Sequence, residues 1–362
     1  MNILCPDFYE ILKNMHLQSL LPSAILSKNF HQNAGQTISL HDFDMMIKES
    51  PMKIVFLDAN TLGEDIDYSQ FEELGEVIRY SFSNTAECLE RSADADVLVI
   101  NKIPINKDTI GSADHLKLVC VTATGTNNLD KEYLAERGIE WRNVAGYSTE
   151  SVAQHTFAML FYLLEKLSYY DNYVKSGSYM NDHVFTHFAE TFHELNGKTW
   201  GILGLGAIGR RVADIAKAFG CHVIYYSASG APAQKGYEQV NFDTLLTTSD
   251  ILSIHAPLNP YTEGIMDAEA IHKMKPTAIL LNLGRGPIVN EQALADALKQ
   301  GIIAAAGLDV LSAEPMASDN PLAEIKDSRR LLITPHIAWA SVEARSRLMA
   351  IICGQIKEFY NL

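Results

Sequence analysis

The 362-residue chain is poor in cysteine, and what it has is scattered. Cys5, Cys88, Cys120, Cys221 and Cys353 never fall in C-x-x-C spacing and are odd in number, which excludes a disulfide framework and a zinc ribbon and points to a reducing, cytoplasmic setting. Positive charge is short as well. With 29 Lys and Arg against 44 Asp and Glu, a net charge of −15 and a pI near 5.2, the surface is wrong for nucleic acid or an anionic membrane, both of which select basic faces. No apolar run approaches the ~18 residues of a membrane span; the longest is TFAMLFYLL at 156–164. Repeats, low-complexity tracts and an HExxH pattern are also missing. His183 and His187, spaced i and i+4 and followed by His193, would suit a metal on a helix, but Phe185, Phe188 and Phe192 among them make aromatic packing the plainer reading, and no metal is expected. Cys120 and Cys221 adjoin strands and read as small buried apolar groups.

What is there is a 47% hydrophobic chain with mean hydropathy near zero, long enough for two globular domains. Residues 1–51 hold no sustained period, whereas MKIVFLDA from Met52 opens as a parallel strand. The fold is expected to begin at Met52, with 1–51 an extension that is poorly ordered or lies ahead of the true start; Asp7, Glu10 and Pro22 argue against a signal peptide. Short apolar strands (MKIVFLDA, GEVIRYSF, DVLVINK, LKLVCVTAT, IEWRNVA) then alternate with helical stretches such as SNTAECLERSAD and DKEYLAERG. SVAQHTFAMLFYLLEKLSYYDNYVKSG reads as one long helix leading to a second α/β unit from Gly197, and ASVEARSRLMAIICGQIKEFYNL as a helix that returns to the first. The expected fold is α/β: two flavodoxin- or Rossmann-like domains, each a parallel sheet flanked by helices, with the chain crossing twice. One domain would take residues 52–150 and 338–362, the other 151–337.

Residues 197–226, GKTWGILGLGAIGRRVADIAKAFGCHVIYY, form a complete βαβ pattern around Gly204, Gly206 and Gly209. The first glycine permits the turn, the second lets a pyrophosphate approach, and the third lets helix and strand pack closely. Ala207 and Ile208 then open a helix whose free N–H groups and dipole favour a phosphate. The second strand ends not on the Asp or Glu that would repel a 2′-phosphate but on Ser227, with Ser229 and Lys235 following and no arginine at the turn, so NAD and NADP both remain open.

Three residues that follow strands in this half can carry chemistry. Arg285, between glycines in NLGRGPIVN, offers a planar guanidinium that can grip a carboxylate. Glu314 lies in LDVLSAEP and His336 in ITPHIAWA. Two of them have a plainer reading alone, Arg285 as a surface ion pair and His336 as a satisfied structural histidine. Together they stand where open α/β proteins bind ligands.

The order of GLGAIGRR, SDILSIHAPLNPYTEGIM, NLGRGPIVNEQAL, GLDVLSAEP and TPHIAWAS resembles the D-isomer-specific 2-hydroxyacid dehydrogenases over nearly all of the chain from Met52. The resemblance implies that Arg285 binds the substrate carboxylate and carbonyl, that His336 exchanges the proton on the substrate oxygen, and that Glu314 orients His336 and keeps it protonated. The chemistry agrees: hydride arriving at C2 of a 2-oxo acid builds alkoxide charge that a nearby imidazolium can quench. It further implies that Asp309 faces the nicotinamide carboxamide and that His255, Pro257, Thr262 and Leu283 line the cofactor. Asn101, Lys102, Gly125 and Thr126 would sit at substrate-loop positions where backbone N–H groups meet the carboxylate. YSTESVAQHT, FHELNGKTWGILGLG and HIAWASVEAR look most like the glycerate dehydrogenase (hydroxypyruvate reductase) branch, whereas formate dehydrogenases of the family carry glutamine where Glu314 stands.

The expected function is therefore NAD(P)-dependent hydride transfer to or from C2 of a small 2-oxo or D-2-hydroxy acid, with hydroxypyruvate or glyoxylate foremost. The rivals are a cofactor-sensing regulatory protein with vestigial catalysis, and an enzyme for phosphite or phosphorylated acids, for which Lys102 and Lys107 would be the only nearby cations. The resemblance also implies a homodimer, built on a segment from about Ser151 to Phe192 that embraces a neighbour.

Overall fold

The structure, a computed structural model, describes residues 51–362. The expectation for 1–51 therefore lies, except for Pro51, outside the described residues.

The first five apolar runs become β1 (Lys53–Phe56), β2 (Glu76–Arg79), β3 (Val97–Ile100), β4 (Leu118–Val121) and β5 (Glu140–Asn143). They pair in the order β2-β1-β3-β4-β5, all parallel. β3 and β4 are buried throughout while the edge strands β2 and β5 are half exposed, as expected of a parallel sheet covered on both faces. Three of the connecting helices start on side-chain caps, Asn84, Asn106 and Asp130. Asn84 and Glu87 form a reciprocal capping box before Thr85–Arg91, and Asp130 caps Lys131–Glu136.

The second half gives β6 (Thr199–Leu203), β7 (His222–Tyr226), β8 (Glu238–Gln239), β9 (Ile251–Ile254), β10 (Ile279–Asn282), β11 (Ala305–Leu308) and β12 (Leu331–Ile333). Their order is β12-β11-β10-β9-β6-β7-β8, again parallel, with the order reversing beside β6. That reversal opens a crevice at the carboxyl ends of β6 and β9, where doubly wound sheets bind ligands.

The chain crosses between the sheets twice. Outward it runs as two helices rather than the expected one, Thr149–Leu164 and Leu167–Lys175, separated by Lys166 in a left-handed conformation (φ 54). The break falls where the burial demand ends: the first helix packs Val152, Phe157, Leu160 and Leu163 into the core of the second sheet, while the second helix buries nothing. On the return, Ser341 caps Val342–Tyr360, which lays Leu348, Met349, Ile352 and Ile356 against Ile54, Phe56 and Leu118 of the first sheet. Each such side chain taken from water is worth roughly 1.5–3 kcal/mol, so the last helix is firmly part of the first sheet's core. No helix among the described residues is long and apolar enough to cross a membrane.

Candidate active site

The glycine turn after β6 is built for close approach. Gly204 has φ +94, and a Cβ there would come within 2.7 Å of the Ala256 backbone; one at Gly209 would come within 2.3 Å of the Gly204 carbonyl oxygen. Gly206 caps the Ala207–Ala218 helix without any side-chain hydrogen bond and faces open space, so the first-turn N–H groups, including those of Ala207 and Ile208, have no side chain competing for them. Beside the turn, both ring nitrogens of His255 are buried with no hydrogen-bond partner, and burial pushes the imidazole down to about 3, keeping it neutral. A tight cradle, an uncapped helix N-terminus and an orphaned neutral imidazole fit the pyrophosphate and hydroxyl groups of a dinucleotide. Pro257 and Leu283 border the same crevice, Pro257 exposed and Leu283 nearly buried. Thr262 does not offer its hydroxyl: it donates to the Pro257 carbonyl at 2.7 Å and accepts from the Asn259 N–H at 2.9 Å, closing its own loop.

At the end of β7, Ser227 and Ser229 hold their hydroxyls 3.2 Å apart. Sequence order hides a cation here. Arg210, in the first turn of the glycine helix, reaches Gln234 Oε1 at 3.2 Å, so the loop after Ser227 does meet an arginine, one supplied by that helix.

Arg285 follows β10, its turn held by Asn282, whose side chain donates to the Arg285 carbonyl at 2.9 Å and accepts from the Gly284 N–H at 3.1 Å. Gly286 must be glycine, since a Cβ would stand 2.0 Å from the Leu311 carbonyl carbon. The guanidinium crosses to the first sheet: Nη2 would lie 2.7 Å from a Cβ added at Gly125. Its charge also reaches Tyr147, whose hydroxyl burial pushes up to about 12 and thus keeps neutral.

His336 and Glu314 meet directly. His336 Nδ1 lies 2.7 Å from Glu314 Oε2, while Oε1 accepts the Leu311 N–H at 3.0 Å. Burial favours the neutral acid, but the hydrogen bond and charge of His336, the Leu311 amide and the charge of Lys102 prevail and hold the Glu314 carboxyl below its ordinary range. An ionised carboxylate on Nδ1 leaves Nε2 as the nitrogen free to exchange a proton. His336 itself has φ 55, a left-handed conformation costing roughly 1–2 kcal/mol for a residue with a Cβ. The strain is held by Asp309, which is 2% exposed. Its carboxylate accepts from Thr334 Oγ1 (2.6 Å) and from the Ile337 and Ala338 N–H groups (both 2.9 Å), and its carbonyl accepts the His336 N–H at 2.8 Å. Asp309 is thus turned toward the His336 loop rather than presented bare to the crevice.

Of the first-sheet candidates, Asn101 and Lys102 do not offer their amides. Both donate to the buried carboxylate of Asp58, at 2.9 Å and 2.7 Å. The amides of Gly125 and Thr126 make no hydrogen bond among the described residues, and Lys102 contributes its side-chain charge to Glu314. His183, His187 and His193 fall in an irregular segment rather than on a helix. His187 stacks on Tyr173 at 3.7 Å between centroids and lies 2.9 Å from the Tyr169 hydroxyl. Cys120 and Cys221 are buried, with burial pushing their thiols up to about 12 and 11.

The crevice therefore joins a dinucleotide cradle to an Arg, Glu and His set on one sheet. The profile of the family described as D-isomer specific 2-hydroxyacid dehydrogenase, NAD binding domain, matches residues 157–338. A hydroxypyruvate reductase from Blautia hydrogenotrophica is 40% identical over 314 residues, 85% of this chain and 97% of that protein. This chain belongs to the D-isomer-specific 2-hydroxyacid dehydrogenases. A glycerate dehydrogenase from Methylorubrum extorquens is 36% identical over 308 residues, covering 85% and 96% of the two chains. Among solved structures, an acyclic imino acid reductase in complex with NADPH and D-Arg superposes with a TM-score of 0.75 at 32% identity, covering 86% of this chain and 97% of that one. The protein is accordingly an NAD(P)-dependent dehydrogenase. Sequence reasoning gave no part to four residues that contact these groups: Asp58, which takes the Asn101 and Lys102 amides, Arg210, which reaches Gln234, and Ser151 and His155, which bond to Ala338 and Thr334 beside His336. Asp58 stands as a lone acid at the end of an apolar strand, and the other three lie inside YSTESVAQHT and GLGAIGRR with nothing to single them out.

Proposed function

We propose that the enzyme interconverts a small 2-oxo acid and its D-2-hydroxy acid, with hydroxypyruvate and glyoxylate the foremost substrates in the reducing direction. The bound nicotinamide supplies the hydride that forms the C2–H bond. Arg285 holds the substrate carboxylate and polarises the carbonyl in two hydrogen bonds, and the free amides of Gly125 and Thr126 meet the carboxylate from the first sheet. As the C2=O π pair moves onto oxygen, His336 gives it the Nε2 proton, and Glu314 holds the imidazolium by its other nitrogen. The alcohol leaves with His336 neutral, to be reprotonated from solvent. The observation that carries this reading is the 2.7 Å His336–Glu314 contact facing the same cleft as a guanidinium packed across to Gly125.

The likeness to a hydroxypyruvate reductase and a glycerate dehydrogenase supports the choice of substrate. Ser227 in place of an acid, with Arg210 facing its loop, supports tolerance of NADPH beside NADH. The site divides between residues 52–150 with 338–362, which shape the substrate loops, and 151–337, which hold the dinucleotide. Exposed Met180, Phe185, Phe188 and Phe192 on the segment after the first crossing, with Met180 83% and Phe185 87% exposed, support a homodimer in which a second copy covers them. Scattered reduced thiols support a cytoplasmic setting.

The test is absorbance at the reduced-nicotinamide band with hydroxypyruvate, glyoxylate and pyruvate in turn, each with NADH and NADPH. Rapid oxidation that vanishes in His336→Ala is the expected result. Cofactor binding without turnover on any pair would overturn the small 2-oxo acid assignment and bring forward a larger substrate or the regulatory reading.

A further inference from the structure

The His336 turn is gripped by the helix that carries the chain out of the first sheet. Ser151 and His155 stand one turn apart on Thr149–Leu164 and so share a face. The Ser151 hydroxyl donates to the Ala338 carbonyl at 2.6 Å and accepts the Ser341 N–H at 3.3 Å. His155 Nε2 lies 3.1 Å from Thr334 Oγ1, the same hydroxyl that donates to the Asp309 carboxylate at 2.6 Å. Thr334 has one proton and gives it to Asp309, so Nε2 of His155 must be the donor to Thr334. The two grips bracket His336 symmetrically, two residues before it and two after.

We infer that Ser151 and His155 are positioning residues for His336: through Thr334 and Ala338 they tie the outward crossing to the return crossing and set where the imidazole stands over the substrate. This rests on His336 being the proton donor. Nothing in the family match or in the sequence pattern assigns either residue a part in the reaction. The geometry asks for a donor at 155 that reaches Thr334, which glutamine can supply and leucine cannot.

The test compares Ser151→Ala, His155→Leu, His155→Gln and Thr334→Val in the full chain. Each is followed by kcat, by KM for hydroxypyruvate, by NADH affinity from fluorescence titration, and by the deuterium effect with 4-deuterated NADH. His155→Leu, Thr334→Val and Ser151→Ala should each lower kcat by about tenfold or more, the scale of an ångström-level misplacement. KM and NADH affinity should stay within about twofold and the deuterium effect should rise as proton and hydride transfer become limiting. His155→Gln should recover most of kcat. His155→Leu added to Thr334→Val should cost no more than Thr334→Val alone, because the His155–Thr334 hydrogen bond it removes is already cut, whereas Thr334→Val by itself also takes the hydroxyl from Asp309. If a leucine at 155 prevents folding, Thr334→Val and Ser151→Ala carry the same comparison. Unchanged kcat, a loss that tracks NADH affinity, or Gln behaving like Leu would overturn the inference. His336→Gln separates the two levels: full turnover in that variant removes the acid on which this inference stands, whereas an inactive His336→Gln beside normal positioning variants removes this inference alone.

Discussion

The five-stranded and seven-stranded sheets are wound alike, from short parallel strands buried on both faces, yet they finish their strands differently. At the carboxyl ends of the first sheet the polar groups largely satisfy one another: Asp58 takes the amides of Asn101 and Lys102, and Thr122 donates to the Ile100 carbonyl. At the same ends of the second sheet they are left for something else. The helix after the glycine turn has no side-chain cap, His255 has two orphaned ring nitrogens, and Arg285 leans out across the cleft. A shared fold therefore says little about function; the unsatisfied strand ends of one copy do. What the first sheet adds is the far wall, through Gly125, Thr126 and Lys102.

The largest effect should come from the second sheet's own acid. His336→Gln keeps a polar side chain of similar size but cannot deliver a proton, and kcat should fall by about a hundredfold to ten-thousandfold while NADH binds as before in a fluorescence titration. A loss below tenfold would move the acid elsewhere and dissolve the asymmetry between the sheets. Arg285→Lys comes next. A point charge replaces a planar fork, so kcat/KM for hydroxypyruvate should fall by roughly tenfold to a hundredfold, mostly in KM; equal values for the two enzymes would show that Arg285 makes no bidentate contact.

Much of this was legible in the residues themselves. Runs such as DVLVIN and AILLNL became fully buried strands because β3 and β10 lie inside their sheets, and the glycine pattern named its turn because a Cβ at Gly204 or Gly209 would strike backbone, while Gly206 leaves open space at the helix start. Arg285, Glu314 and His336 stood out as functional groups directly after strands. What was illegible depends on partners far away in the chain. Asp58 meets amides 43 and 44 residues on, Ser151 meets Ala338 187 residues on, and His155 meets Thr334 179 residues on; no local period encodes such pairings. The same blindness hid the spent amides of Asn101 and Lys102, whereas Thr262 spends its hydroxyl locally, on Pro257 and Asn259, in a loop closure that its residue type does not announce. The break at Lys166 was missed because the apolar residues continue as Tyr169, Tyr170 and Tyr173, which pack with His187 instead of the sheet.

A smaller effect probes the first sheet's share. Gly125→Ala would put a methyl 2.7 Å from Arg285 Nη2, a clash the flexible end of the guanidinium can relieve by withdrawing. KM for the 2-oxo acid should rise several-fold with little change in kcat, about 1 kcal/mol of lost ground-state and transition-state binding alike. A KM that does not move would mean the first sheet supplies a boundary and no contact.

The smallest effect is in stability, and its sign follows from Glu314. In the folded chain burial opposes the charge, but His336, the Leu311 amide and Lys102 hold the carboxyl below the ordinary 4.5. As pH falls, the unfolded chain takes up this proton first, so across that window stability rises with pH. The contribution is complete above the ordinary value and gone below the native one. Glu314→Gln keeps an acceptor for His336 Nδ1 but has nothing to titrate, so other carboxylates cancel when the two proteins are compared. The wild-type melting temperature should exceed that of the variant by about 2 °C from neutral pH down to pH 5, no more because the pair is partly open to water, with Glu314 31% and His336 24% exposed. That gap should close as pH drops below the ordinary carboxylate range. A gap that persists in acid would mean that the Glu314 charge contributes nothing to it. One that widens would place the native carboxyl above its ordinary range, with burial prevailing over His336.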